Sequence, residues 1–195
     1  MSASKIFIIT PAYNEAKYIG RFLDKLKIVA PNIIVVDDGS TDKTKSIVDA
    51  RGVICLSHMV NLGKGSALKT GCEYAFKKMD ADAVIIMDGD DQHEVDDLKS
   101  FIKVLKSGAE IVLGVRRLDA KMPLMRVLGN KSMSILINLL FGHYLADIPS
   151  GFKAMTRRAY RELKWHSSGY EVETEIAVRI AKSKLVYVEI PISTI

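Results

Sequence analysis

Apolar runs alternate with amphipathic stretches along most of this chain. Five short runs rich in Ile and Val, at 5–10, 32–38, 52–57, 82–88 and 109–115, have the length of β-strands. They are continuous rather than strictly alternating, which is the pattern of strands covered on both faces. Between them, 15–29, 41–50, 64–79 and 94–106 repeat apolar residues at helical spacing. In the first of these, Tyr18, Ile19, Phe22, Leu23, Leu26 and Val29 fall on one face. Four strand–helix units in succession predict an α/β fold, a Rossmann-like, mainly parallel sheet with helices on both faces. After residue 116 the rhythm breaks. Residues 122–146 read as a long or broken apolar helix, 152–156 as a short strand, 171–182 as a helix and 185–190 as a final strand. No linker, repeat or low-complexity tract interrupts the chain, so 1–195 is read as one domain.

In open sheets of this kind ligands bind beyond the carboxyl ends of the strands. The residues that follow each strand are therefore the ones to read for chemistry. Pro11-Ala12-Tyr13-Asn14-Glu15 follows the first, where Pro11 removes a donor and Asn14 is placed to cap the next helix. Asp37-Asp38-Gly39-Ser40-Thr41-Asp42 follows the second, with Gly39 for a turn and Ser40 or Thr41 for a cap. Asn61-Leu62-Gly63-Lys64-Gly65 follows the third and sets two glycines around a lysine at a helix start, a pattern suited to an anion. Ordinary turn chemistry accounts for each loop taken alone. No G-x-G-x-x-G follows the first strand, and Gly63-Lys64-Gly65-Ser66 does not end as a P-loop does.

The fourth strand carries the strongest feature, Asp88-Gly89-Asp90-Asp91. Side chains two apart on an extended chain point the same way, so Asp88 and Asp90 share a face, and Gly89 lets a ligand approach the backbone. Two carboxylates so placed need a cation or a shared proton. Mg2+ or Mn2+ suits one or two carboxylates combined with substrate phosphates. A calcium loop fits badly, because its glycine and final glutamate positions hold His93 and Lys99. Asp91 and Glu94 read as a capping box that starts a helix, and Asp96 and Asp97 as its solvated side.

Composition narrows the class without naming it. Apolar residues make up 48%, charged residues 26%, and the formal charge is +5, values of an ordinary globular protein that tolerates anionic partners. No zinc-finger or RNA-binding signature points to nucleic acid. Cys55 and Cys72 sit in apolar settings and read as reduced core residues of a cytoplasmic chain, and no signal peptide is recognised before the first strand. No stretch reaches the ~20 apolar residues of a membrane span. The uncharged segment 132–142 is the nearest, and it suits a core helix and an interfacial one equally. His58, His93, His143 and His166 lack metal-ligand spacing and read as structural.

Taken in order, these loops resemble the inverting glycosyltransferases of family 2, which have the GT-A nucleotide-diphospho-sugar transferase fold. Within them the similarity is greatest to dolichyl-phosphate and polyprenyl-phosphate mannose or glucose synthases. Arg116, 150–154 and 169–173 continue the ordered set, so the resemblance covers nearly the whole chain. It implies a nucleotide-binding half, 1–116, and an acceptor-side half, 117–195. It assigns Pro11, Ala12, Tyr13, Glu15, Val36 and Asp38 to the base and ribose, and Asp88 and Asp90 to a metal (Mg2+ or Mn2+) on the diphosphate. Lys64, Gly89 and Gln92 lie beside the nucleotide, and Arg116 contacts a phosphate. The implied reaction moves a hexose from GDP-mannose or a UDP-sugar to a polyprenyl phosphate at the cytoplasmic face of a membrane, with peripheral contact through 122–146. A hydroxyl acceptor would need a general base, for which Asp147 and Glu173 are the candidates. A phosphate acceptor would need cations, for which Arg116, Arg117, Arg126, Lys131 and Lys153 are available. Three features depart from the family's habit: Glu94 stands where Pro is usual, Gly114-Val115-Arg116-Arg117 replaces Gly-Ser-Arg-aromatic, and the chain stops at Ile195, about where relatives continue into a basic segment. A phosphatase of the haloacid-dehalogenase type shares the apolar strand and D-x-D, but there the motif ends the first strand rather than the fourth.

Overall fold

The computed structural model describes residues 5–89, 95–116, 124–142, 144–148 and 150–193, with backbone alone for 124–131. In chain order the elements are β1 (Ile6–Ala12), α1 (Ile19–Val29), β2 (Ile33–Asp37), α2 (Thr44–Asp49), β3 (Ile54–Ser57), α3 (Lys64–Lys77) and β4 (Ala83–Ile86). Then follow α4 (Asp97–Lys106), β5 (Ile111–Arg116), α5 (Leu124–Phe141), β6 (Lys153–Thr156), α6 (Arg157–Leu163), α7 (Val172–Lys182) and β7 (Tyr187–Ile192).

The described strands form one sheet in the order β3-β2-β1-β4-β6-β5-β7. Its inner strands β1, β2 and β4 are buried on both sides, and this is why their sequences are continuous apolar runs. Phe7 and Ile9 of β1 face a core packed by α3, α6 and α7, with Ile137 of α5. Ile8, between them, faces a second core made with α1 and α4, with Val48 of α2. The chain builds outward from β1 to β2 and β3, then returns to place β4 on the other side of β1. The carboxyl ends of β1 and β4 therefore flank the switch point, where a parallel sheet opens a crevice.

The pattern after residue 116 hid two features. β6 runs antiparallel to both β4 and β5. It enters the sheet at the carboxyl ends of its neighbours, so the residues before it, 150–152, lie at the same edge as the ends of β1 and β4. The second is α6, which follows β6 without a loop. The Thr156 hydroxyl accepts from Ala159 N–H at 3.2 Å to start it, and Ala159, Tyr160 and Leu163 are buried. Two helices also start later than their apolar pattern does. α1 begins at Ile19 because 13–18 form a turn, and α4 begins at Asp97. Asp91 and Glu94, the expected capping box, lie outside the described residues. Asp97 is not simply solvated: its carboxylate accepts from Ser193 N–H at 2.7 Å. Among the described residues no helix is long and apolar enough to cross a membrane.

Phe101 of α4 is fully buried and stacks on Phe152 with ring centroids 4.0 Å apart and planes 3° from parallel. This pair ties α4 to the segment that enters β6. Phe101→Ala should cost about 3–5 kcal/mol of unfolding free energy, the range for truncating a buried aromatic, measured by urea titration with the slope unchanged.

Candidate functional site

Two loops at the switch point are built from each other. Asn14 adopts φ 55°, a left-handed conformation that Asn tolerates. Its side-chain oxygen accepts from Thr41 N–H at 2.9 Å and Asp42 N–H at 3.3 Å. In return Ser40, Asp42 and Thr44 accept from the backbone N–H groups of Asn14, Ala16 and Glu15 at 2.9, 3.1 and 2.8 Å. The caps read from the sequence are thus redirected. Asn14 does not cap α1, which starts without a side-chain cap. Ser40 and Thr41 do not cap α2, whose first N–H, that of Thr44, is taken by Asp42 at 2.8 Å. Polar loop side chains that suit a local cap serve equally as bridges between loops, and sequence alone does not separate the two.

Asp38 organises the next wall. Its buried carboxylate accepts from the N–H groups of Leu62 at 3.0 Å and Gly63 at 2.8 Å, and from His58 Nδ1 at 2.6 Å. His58 Nε2 in turn lies 2.9 Å from Thr70 Oγ1. The loop before α3, which the sequence marks as suited to an anion, already gives two of its N–H groups, those of Leu62 and Gly63, to the Asp38 carboxylate. Ser66 N–H is also occupied, by the Ser168 carbonyl at 3.1 Å. Gly63 and Gly65 serve a different need, since a Cβ on either would overlap the backbone of Ser168 or Ser167. They let 167–169 lie directly on the helix start. Val36 is fully buried in the core beneath this wall and does not line the cleft.

Charges of alternating sign cross the edge of the sheet formed by the carboxyl ends of β4 and β5 and the amino end of β6. Lys64 Nζ lies 2.8 Å from Asp88 Oδ1 and 3.0 Å from Glu173 Oε1. The contact with Glu173 is an ion pair rather than an aligned hydrogen bond. Glu173 Oε2 accepts from Lys153 Nζ, which also donates to the Ser150 carbonyl. Arg116 holds Asp147 through Nε at 2.8 Å, Nη2 at 2.8 Å and its own backbone N–H at 3.0 Å. Burial works to lower the Lys64 pKa, but the fields of Asp88 and Glu173 and its close contacts with both carry it above the ordinary lysine range. The Arg116 pKa is raised chiefly by its hydrogen bond to Asp147, against burial, with Asp88 and Glu173 adding to the pull. Gly151 packs so tightly that a Cβ there would overlap the Asp88 carboxylate.

These walls enclose a cleft of about 770 Å³ lined by Pro11, Ala12, Tyr13, Glu15, Asp38, Lys64, Asp88 and Gly89, with Asn61, Ala67, Gly63, Gly169 and Tyr170 completing it. Most of the expected nucleotide-side residues thus meet in one place. Arg116, Asp147 and Glu173 sit beside it, joined by the ion pairs. Asp90, Gln92 and Arg117 lie outside the described residues, as do the side chains of Arg126 and Lys131. Sequence reasoning missed Tyr170 as a wall; it is largely exposed, with Lys64 Nζ 5.8 Å from its ring centre. Its place in the Gly169–Glu173 motif was the available signal. Gly89 does line the cleft, but its other side packs on Thr10 and Ile19.

Among the described residues no group of three or more His, Cys, Asp or Glu forms a cage for a metal ion. A cation held by one or two carboxylates and completed by phosphate oxygens needs no such cage. Asp88 fits that requirement: it is a hard oxygen donor, partly exposed, and it opens on the cleft.

Comparison with known proteins agrees with this geometry. A family model described as "Glycosyl transferase family 2" matches residues 7–164. A UDP-N-acetylglucosamine–dolichyl-phosphate N-acetylglucosaminyltransferase of Methanococcus voltae is 33% identical, over 100% of this chain and 87% of its own length. An undecaprenyl-phosphate mannosyltransferase of Micrococcus luteus is 27% identical, over 97% of this chain and 83% of its own. A crystal structure of glucosyl-3-phosphoglycerate synthase from Mycobacterium tuberculosis, in complex with Mn2+ and UDP-glucose, superimposes with a TM-score of 0.79 at 21% identity, covering 100% of this chain and 71% of that one. The likeness to that structure establishes a shared GT-A fold.

The segment 165–170 that closes the cleft is held from α7. Glu175 accepts from His166 N–H, Ser167 N–H and Ser167 Oγ at 3.0, 2.8 and 2.5 Å and pairs with Arg179 at 2.7 Å. Trp165 Nε1 donates to the Gly65 carbonyl at 2.9 Å. Burial raises the Glu175 pKa, but the Ser167 and His166 hydrogen bonds and Arg179 outweigh it and bring it down to about 2, from an ordinary 4.5. A carboxyl that titrates lower in the folded chain stabilises above the unfolded pKa. That contribution is lost as pH falls from about 4.5 toward 2. Glu175→Gln should remove on the order of 2 kcal/mol at neutral pH, after allowance for partial exposure, and flatten the acid limb of the stability–pH curve. Chemical denaturation between pH 2 and 7 measures both.

Proposed function

Since this chain belongs to glycosyl transferase family 2, we propose that it moves a hexose from a nucleoside-diphosphate sugar to a polyprenyl phosphate with inversion at the anomeric carbon. The observation that carries the reading is the cleft at the switch point, where Asp88 and Lys64 meet between two walls that bear Tyr13 and Tyr170. Tyr13 and Glu15 border the base and ribose, on a wall held in place by the Asn14 and Asp38 hydrogen bonds. Lys64 and Asp88 face the diphosphate. A divalent cation, Mg2+ or Mn2+, bound at Asp88 would neutralise the charge that builds on the departing diphosphate.

The acceptor side favours a phosphate over a hydroxyl. A hydroxyl nucleophile must lose a proton to a nearby base. Both candidate bases are committed: Asp147 is gripped by Arg116, and Glu173 lies between Lys64 and Lys153. A phosphate monoester, with a second pKa of about 6, arrives already anionic and needs only to be positioned. Arg116, which stays partly exposed while it holds Asp147, is the described cation suited to that task.

The lipid part of the reading is supported by the names of the relatives and by α5. On this helix Ile135, Leu136, Leu139 and Leu140 are exposed, Leu139 to 79%, and Tyr144 follows them in solvent. An exposed apolar helix face suits the headgroup region of a bilayer, where it would hold the protein at the level of a lipid phosphate.

Three outcomes follow. With Mn2+ and a panel of labelled UDP- and GDP-sugars, the chain should glycosylate polyprenyl phosphate, and Asp88→Ala should lower the rate by about 10²–10³-fold, the scale of removing one charge-stabilising group. Equal rates would count against the role of Asp88. Free polyprenol should be a poor acceptor; transfer to it at the rate of the phosphate would overturn the base-free reading. Leu139→Glu with Leu140→Glu should abolish co-sedimentation with anionic vesicles while the melting temperature stays within a few degrees.

A further inference from the structure

The charge network around Lys64 has a consequence for the order in which ligands enter. It pairs two described carboxylates, Asp88 and Glu173, with two described cations, Lys64 and Lys153, and Arg116 with Asp147 forms a separate pair. A bare divalent cation that approaches Asp88 meets a carboxylate whose two oxygens lie 2.8 and 3.0 Å from the Lys64 ammonium. A bare diphosphate that approaches Lys64 meets an ammonium already held by two carboxylates. Either ligand alone must break an ion pair that is largely removed from solvent, the arrangement in which a broken pair costs most.

We propose that Lys64 is a resident counter-cation that competes with the divalent metal for Asp88, so that metal and nucleoside diphosphate enter together by exchange of partners. The proposal rests on the reading of Asp88 as a metal ligand. In the exchange Lys64 passes from Asp88 to a diphosphate oxygen, and Asp88 passes from Lys64 to the cation. Charge stays balanced at each group, and no ion is left unpaired. Glu173 makes the exchange local. Lys64 Nζ is 3.0 Å from Glu173 Oε1, so it has an anchor while it leaves Asp88. Glu173 is held in turn by Lys153, whose other contact is the Ser150 carbonyl, next to the Gly151 that packs on Asp88. The cation-ready and lysine-bound states of Asp88 therefore differ by one side-chain movement against a fixed backbone. Linkage requires that the diphosphate tighten metal binding by the same factor as the metal tightens diphosphate binding.

The test measures Mn2+ binding to the whole chain by electron paramagnetic resonance of the free ion, without nucleotide and with UDP or GDP. In the unaltered chain Mn2+ alone should bind weakly, and the diphosphate should tighten it. Lys64→Met should bind Mn2+ alone about tenfold more tightly than the unaltered chain, and the further tightening by diphosphate should shrink. Lys64→Arg, which keeps the charge, should stay weak toward Mn2+ alone. Lys69→Met, which removes one charge from an exposed position of the same helix, should change nothing. Thermal melts establish that each variant is folded, and the arginine variant keeps the comparison meaningful if the methionine one is unstable. Should Lys64→Met bind Mn2+ alone no more tightly than the unaltered chain, the competition does not exist. Asp88→Asn tests the underlying reading separately: if it keeps full diphosphate-dependent Mn2+ binding, Asp88 is not the ligand and the exchange falls with it.

Discussion

The ion pairs of Lys64 join distant parts of this chain. Lys64 begins the helix after the third strand, Asp88 lies just beyond the fourth, and Glu173 lies in the helix before the last strand. One ammonium thus connects groups more than a hundred residues apart in sequence, at the place where the sheet reverses its order of growth. Such a centre is tolerated because every described charge in it has an opposite partner. Its neighbours are arranged to keep it so. Gly151 leaves room for the Asp88 carboxylate, Gly63 and Gly65 admit the segment that covers the helix start, and the Ser150 carbonyl holds the outer lysine.

Around this centre one wall of the cleft is made of loops that satisfy one another. The loop after β1 and the loop after β2 exchange hydrogen bonds through Asn14, Ser40, Asp42 and Thr44, and Asp38 binds the loop after β3. Each loop is short and polar, and none has a core of its own. Their shape comes from mutual hydrogen bonding over a sheet buried on both faces. A ligand-binding surface built in this way is stiff without being apolar, which suits a polar, charged nucleotide.

In the proposed reaction the same economy of charge restricts the choice of acceptor. Asp147 and Glu173 look like free carboxylates in the sequence, yet each is occupied by cations in the fold. Commitment of both is the physical ground for preferring an acceptor that carries its own negative charge. α5 adds an exposed apolar face, Ile135, Leu136, Leu139 and Leu140, to a protein whose cleft is charged.

Much of the fold was legible because the signals were long and periodic. Five apolar runs and four amphipathic stretches sufficed for the parallel half, and the loops at the strand ends, read in order, named the family. The late start of α1, the antiparallel β6 and the existence of α6 were not legible, since short elements take their direction from what they pack against. At the site, the sequence by itself determined which residues are present at the cleft: Tyr13, Asp38, Lys64 and Asp88 were all identified from their positions after strands. Only the tertiary structure decided what those residues bind in the absence of ligand. It turned Asn14 from a helix cap into a bridge, tied the loop before α3 to Asp38, and set Lys64 against Asp88 and Glu173. The reason is physical. A strand end is a local property that periodicity reveals, whereas the partner of a charge is whichever opposite group the folded chain brings within 3 Å.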